Sequence, residues 1–386
     1  MSKKLLHVSV FKVLVLCSIC CFIASCKTTP DDSKLSFCYW KTTYNLDKKE
    51  DTLMHKIGVN HLYVRFFDVD WNPYENEALP IASIRNIWGM DLKKIAITPS
   101  IFITNTVMEK SSQTQLDSLV SRVNRRICSF IIAFRVSFIS QYSYSYEFYG
   151  NRQQKLNVDS LNKVAFEIFN KQVQEVLIDC DWTPKTRDHY FYFLKKLRQL
   201  TPYKITATLR LWQYKQQKLA GVPPVDRCLL MCYSMASPTN AKVENSISSA
   251  KDLSKYISNE SYPAKLDIAL PIFNWVVMFR NGVFKGLINN IDPDDYKNDT
   301  SNYLQMKDNR FQLRKDKVIG NVYLRFGDEL RIEQVSSTEL EKMAKILKKS
   351  IKTDINTRVT FFSWDTTYIK QYGTANLKSY NNILHR

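Results

Sequence analysis

Eight short runs rich in β-branched and aromatic residues constrain this chain more than any other feature. They lie at 35–44, 61–70, 96–105, 175–183, 204–213, 227–236, 265–275 and 357–365. Segments of helical spacing separate several of them, such as 188–200, where Tyr190, Phe193, Leu194, Leu197 and Leu200 share one face. Apolar strands alternating with helices imply a parallel sheet covered on both sides. Eight such strands predict an α/β fold of (β/α)8 barrel type. No GxGxxG or P-loop follows the first run, which disfavours an open doubly wound sheet. A chain of 386 residues fits one barrel with additions.

Two connections exceed what a plain barrel needs. Between the third and fourth runs, helices are expected at 111–126 and 158–171. They flank the stretch 127–150, whose end reads QYSYSYEFYG. Arg135 and the length of this stretch argue against a membrane span. An irregular, partly buried insertion is the preferred reading, with a tyrosine-rich flap as the alternative. The second connection carries hairpin signals at Asn281-Gly282, Asp308-Asn309 and Gly327-Asp328, then a helix at 337–352. These predict a small β-rich insertion over 276–336, after strand seven.

The fourth run ends EVLIDCDWTP, residues 175–184. Side chains alternate along a strand, so Asp179 and Asp181 share a face while Val176 and Ile178 take the other. In a barrel of this kind, chemistry sits at the C-terminal ends of the strands. Two adjacent carboxylates repel when ionised, which raises one pKa and leaves that acid able to donate a proton. A purely structural role, with the pair bound to Arg65 or Arg210, is the competing reading. Six of the seven tryptophans (Trp40, Trp71, Trp182, Trp212, Trp275 and Trp364) fall at or just beyond strand ends. Flat rings there suit stacking on the apolar faces of sugars, and Arg210, Gln213 and Asn105 suit hydrogen bonds to hydroxyls.

The first 25 residues read as a secretory leader: Lys3 and Lys4, an apolar stretch from Val8 to Ile23, then Ala24-Ser25 before Cys26. Cys26 is the expected lipidation site, with 26–34 as a polar tether and 35–386 as the barrel. Lys27 is not the Asp associated with inner-membrane retention, so an outer-membrane, cell-envelope location is expected. Five cysteines remain beyond the leader and the lipidated position: Cys38, Cys128, Cys180, Cys228 and Cys232. An odd count without CxxC pairing argues against a disulfide framework or a zinc site, and favours core packing. No HxH or HExxH pair occurs, and no metal or cofactor is expected. The net charge of +18 is scattered, without a nucleic-acid motif, so no nucleic-acid partner is expected and the chain is read as a monomer.

Taken together, these strand ends resemble the chitinase-like (family 18) glycoside hydrolases. Their strand-four motif DxxDxDxE falls here on Val176, Asp179, Asp181 and Thr183, with Trp182 before the last position. Two of the acids are present; the first is Val176, and the position of the proton-donating Glu holds Thr183. Met231-Cys232-Tyr233-Ser234 stands where the family has Met-x-Tyr-Asp/Asn, and Trp364 stands where its sugar site has a floor tryptophan. The whole chain also resembles a group of secreted Bacteroidota lipoproteins in the blocks LYVRFFDVDWN (62–72), PSIFITN (99–105), IDCDWT (178–183), GVPPVDR (221–227) and LDIALPIFNW (266–275). That second likeness brings no activity with it.

The resemblance implies a glycan ligand at the barrel mouth. If the protein is an enzyme, Asp181 is the expected acid, since threonine has no useful pKa near neutrality, and Asp179 and Tyr233 complete the catalytic group. Trp364, Trp275, Trp40, Arg65, Asp68, Arg210 and Gln213 are the expected binding residues. Asp68, Asp70 and Asp365 are second choices as acids. The alternative is a non-catalytic glycan-binding or structural lipoprotein.

Overall fold

The computed structural model describes residues 35–385 except 45, 86–91, 150–156, 258–260, 290, 321 and 355. The leader, Cys26 and the tether lie outside the described residues. The eight runs form the strands β1 (Leu35–Tyr39), β2 (Val59–Asn72), β3 (Ala96–Ile103), β4 (Glu175–Asp179), β5 (Lys204–Arg210), β6 (Arg227–Met231), β7 (Leu266–Pro271) and β8 (Val359–Phe362). Neighbours pair in parallel in this order, and β1 pairs with both β2 and β8. The sheet therefore closes, and the chain is a (β/α)8 barrel. Most strands stop before the expected C-terminal limits, because the last residues of each run leave the ladder for loops and short helices. β2 does the reverse: it continues to Asn72 and pairs antiparallel with Glu77–Ile81, an arm not anticipated from the sequence.

Strand alternation sorts the barrel interior into layers. At the N-terminal end the layer is charged. Arg358 reaches Glu175 at 2.6 and 2.8 Å and Asp267 at 3.0 Å, and Arg227 holds the other oxygen of Asp267 at 2.7 Å. Arg358 also donates to His61 Nε2 at 3.0 Å. That contact makes Nε2 an acceptor, so the ring proton sits on Nδ1 and goes to Ser36 Oγ, 2.7 Å away. Burial, and then the Arg358 charge, hold the His61 pKa well below its usual value. Above this layer lies a small apolar one of Cys38, Tyr63, Leu177, Leu229 and Ala269. The barrel is thus plugged below by these two layers, and above them lies the layer at the strand C-termini.

Helices cover the outside, with their apolar stripes inward. The helix Arg187–Leu200 buries Tyr190, Phe193, Leu194 and Leu197. Ser336 caps Ser337–Ser350 by accepting from the Glu339 amide, and that helix buries Leu340, Met343, Ala344 and Leu347. The stretch 127–150 is not irregular up to Tyr149. One helix runs from Gln113 to Tyr149, 37 residues. Its spacing explains this: Val123, Ile127, Ile131, Phe134, Phe138 and Tyr142 recur every three to four residues, and all are buried. The tyrosine-rich end continues a helix and forms no separate flap through Tyr149.

The insertion after β7 folds as expected into β structure with its own core of Val276, Met278, Phe311, Leu313, Leu330 and Ile332. Its five-stranded antiparallel sheet runs in the order Val283–Asn289, Asn274–Arg280, Glu329–Gln334, Arg310–Leu313, Tyr303–Lys307. Asn281 and Gly282 turn the first hairpin with φ of 51° and 75°, the left-handed pair this two-residue turn demands. The Gly327-Asp328 signal marks a turn into the strand 329–334 rather than a hairpin. The hairpin beside it joins Lys317–Ile319 to Val322–Leu324.

Candidate functional site

A cavity of about 140 Å³ opens at the C-terminal mouth, and every barrel strand but β2 and β7 contributes to its lining. Leu177 and Leu229 form its floor with Cys38, and Trp40, Phe102, Phe362 and Tyr233 form apolar walls. Phe362 ties these rings together: its centroid lies 5.2 Å from Tyr233 and 5.9 Å from Trp40. Asp179, Asp181, Thr208, Arg210 and Ser234 supply the polar side. The volume is close to that of an engineered cavity known to hold benzene, so the enclosed part takes about one six-membered ring.

The two aspartates have different surroundings. Asp179 is the last residue of β4 and accepts from Thr208 Oγ1 at 2.7 Å. It keeps slight contact with solvent. Burial, and then the charge of Asp181, push its pKa up to about 7 against the opposing effects of Thr208, Arg210 and Arg65. Asp181 is more exposed and pairs with Arg210 at 2.8 Å. Asp179 is therefore the carboxyl of this pair that burial keeps protonated up to about neutrality. Asp181, the expected acid, has its carboxylate engaged by the Arg210 guanidinium. Tyr233 also lines the cavity, and burial followed by the nearby Cys38 and Asp179 raises its pKa well above the usual phenol value.

Arg65 does not pair with the acids of β4. It forms a two-pronged ion pair with Asp68, through Nε at 2.7 Å and through its terminal nitrogen, and its guanidinium lies 5.9 Å from the Trp40 ring centre. Both cations beside the cavity are thus matched by carboxylates, Arg65 by Asp68 and Arg210 by Asp181. Asp70 holds Thr104 Oγ1 at 2.7 Å, and Asp365 caps the helix after β8 by accepting from the Thr367 amide.

Of the seven expected binding residues only Trp40 and Arg210 line the cavity; Arg65 and Asp68 pair with each other outside the lining, and the other three lie elsewhere. Trp364 is 1% exposed and sits edge-on to Phe37, because β8 ends at Phe362 and the chain turns before Trp364. Phe362 occupies the wall instead. Gln213 is fully buried; its side chain accepts from the Arg210 amide and donates to the Trp182 carbonyl, which fixes the turn from β5 into the helix Leu211–Lys215. Trp275 donates its indole N–H to Glu333 at 2.7 Å and is not among the residues lining the cavity. Trp182 and Trp71 are also buried, and Asn105 accepts from Thr186. Thr183 donates its amide to Thr186 Oγ1 and lies outside the cavity lining.

Phe362 and Thr208 are lining residues that the sequence reading did not assign to the site, and Cys38 and Met231, read there as a core cysteine and as part of a motif, line it as well. The signal was available in strand parity, since Thr208 lies two residues before Arg210, Cys38 two before Trp40 and Met231 two before Tyr233. Among the described residues no group of three or more His, Cys, Asp or Glu is placed to hold a metal ion, and no helix is long and apolar enough to cross a membrane.

No protein-family model matches the chain, and no curated protein does. Among solved structures, the spore cortex-lytic enzyme SleL of Bacillus cereus is similar at 11% identity, over 92% of this chain and 74% of that one, with a TM-score of 0.45. A putative sporulation-specific glycosylase of Bacillus subtilis, ydhD, is similar at 11% identity, over 75% of this chain and 90% of that one, with a TM-score of 0.41. A GH113 β-1,4-mannanase gives 7% identity over 91% of this chain and 98% of that one, with a TM-score of 0.38. Its own strand order makes this chain a (β/α)8 barrel.

Proposed function

We propose that the barrel mouth binds a glycan, seating one sugar ring in the cavity. The observation that supports this is the combination, in one ring-sized space, of aromatic walls with a carboxyl pair and a guanidinium. Apolar ring faces pack on Trp40, Phe362 and Tyr233, while Asp179 and Arg210 bond to hydroxyls. The balanced ion pairs around the cavity favour an uncharged sugar. With Thr183 at the donor position, binding is the leading reading. A screen of soluble glycans should find a ligand whose affinity falls about tenfold or more in Trp40→Ala, since a ring stack of about 0.5–1.5 kcal/mol is lost along with its buried area. A ligand with unchanged affinity for that variant would move the site away from the mouth.

Hydrolysis is the second reading, favoured by Asp179, whose pKa of about 7 is in the range of a general acid. It requires that Asp179→Asn abolish turnover of the bound glycan. Absence of turnover by the wild-type protein leaves a binder.

We also propose that Cys26 is lipidated and holds the protein in the cell envelope, from the leader pattern alone. In an expressing bacterium, Cys26→Ser should abolish labelling by a tagged fatty acid and move the protein out of the membrane fraction. Continued labelling would refute the assignment.

A further inference from the structure

We propose that Arg331 and Glu333, on the inserted sheet, are positioning residues for the mouth: they hold the loop 237–246, which fixes the Ser234 carbonyl and, through it, Arg210 beside Asp181. The inference rests on the mouth being the working site; neither residue lines the cavity. From Cys232 to Ser249 the chain has neither helix nor strand, and it carries Tyr233 and Ser234 at its start. A loop of this length needs an external support to hold one conformation. The support comes from the insertion. Arg331 and Glu333 are both fully buried and pair at 2.6 Å. The remaining Arg331 donors go to the loop, with Nη1 reaching the carbonyls of Asn240 and Val243 at 2.8 and 2.7 Å and Nη2 reaching that of Pro238 at 2.9 Å. Glu333 accepts from the Ser246 amide at 2.9 Å and from the Ser246 hydroxyl at 2.5 Å. A desolvated ion pair is costly unless its other hydrogen-bonding groups are satisfied, and here the loop backbone satisfies them.

Three further side chains join the same two segments. Arg310 donates to the Ala241 and Val243 carbonyls, Asn309 to the Glu244 carbonyl, and Asn245 of the loop to the Gln334 carbonyl. Within the loop, the Met235 and Ala236 amides donate back to Ile247 and Ser246, so a clamp on Ser246 is felt next to Ser234. Ser234 itself has φ of 55°, a left-handed conformation that a non-glycine residue keeps only when its surroundings enforce it. Its carbonyl accepts from Arg210 Nη2 at 3.3 Å, while Arg210 Nη1 holds Asp181. The inserted sheet is in this way connected to the acid pair without touching it.

Asp179 reports the connection, because Asp181 on its own strand end, Arg210 from β5, Arg65 from β2, Tyr233 from the loop after β6 and Cys38 from β1 surround it. Its titration can be followed by carboxyl 13C NMR on Asp-labelled full-length protein, with no ligand present, so the outcome does not depend on the glycan reading. In Glu333→Gln the Asp179 midpoint should rise from about 7 by on the order of one pH unit, as Arg210 leaves its place and Asp181 acts unpaired. The control is Arg280→Lys, which disturbs the Arg280–Asp328 ion pair of the same sheet without any contact to the loop. It should leave the midpoint unchanged even where it lowers stability. An unmoved midpoint in Glu333→Gln, or an equal shift in the control, overturns the proposal. If Glu333→Gln does not fold, Asn309→Ala replaces it: this half-buried side chain gives one clamp, and a smaller rise supports the proposal while none overturns it.

Discussion

Replacing Arg358 with methionine is expected to cost about 3–5 kcal/mol of stability, the range for breaking a buried ion pair by removing one partner. The reason lies in what stays behind. Asp267 is fully buried, and Glu175 is largely so, and both lose their main cation. Asp267 keeps Arg227 at 2.7 Å and the Tyr63 hydroxyl at 3.1 Å, which argues for the lower part of the range. Glu175 keeps only the Thr206 hydroxyl at 2.7 Å. The methionine covers similar apolar area, so the loss is electrostatic rather than a cavity. Urea unfolding at pH 7 checks it, and a loss under about 1 kcal/mol would show that the layer is far better solvated than its geometry implies. Adding Glu175→Gln should restore part of the loss, because an amide does not need the guanidinium.

The second large effect concerns pH. Asp179 has a folded pKa of about 7, above its value in an unfolded chain. Between about pH 4 and pH 7 the folded protein holds a proton that the unfolded chain has released. Stability from this residue is therefore complete below about pH 4 and is lost as pH rises through 7, at a slope of up to about 1.4 kcal/mol per pH unit. Asp179→Asn removes the slope and keeps an acceptor for Thr208. The variant should be more stable than the wild type at pH 8, by roughly 1–4 kcal/mol, and the two curves should converge near pH 4. Parallel curves across that window would mean that Asp179 is ionised throughout.

How far the sequence discloses this arrangement depends on strand parity. Asp179 and Asp181 share a face because the extended backbone continues past the ladder, and period-2 reasoning locates both. The same reasoning fails at Trp364, which has the parity of Phe362, because the chain turns once β8 has ended. A strand-end pattern does not reveal where the ladder stops. Gln213 misleads for a related reason: the run 204–213 looks uniformly strand-like, yet a helix begins at Leu211 and takes Gln213 into its capping turn. The long helix from Gln113 was obscured by Ser, Tyr and β-branched residues of modest helix propensity, and tertiary packing of its buried stripe overrides them. Arg331 and Glu333 have no local signature at all, since the groups that satisfy them come from a loop some ninety residues away.

The inserted sheet enters and leaves at one place, for Asn274 and Gln334 face each other across its paired strands. In evolutionary terms such a segment behaves as a cassette: its ends already meet, so a lineage could gain, lose or exchange it with little damage to chain connectivity. The barrel would survive the exchange, but the loop after β6 would not keep its shape. Relatives that differ in this cassette should therefore diverge first in the loop after β6, with the eight strands beneath unchanged.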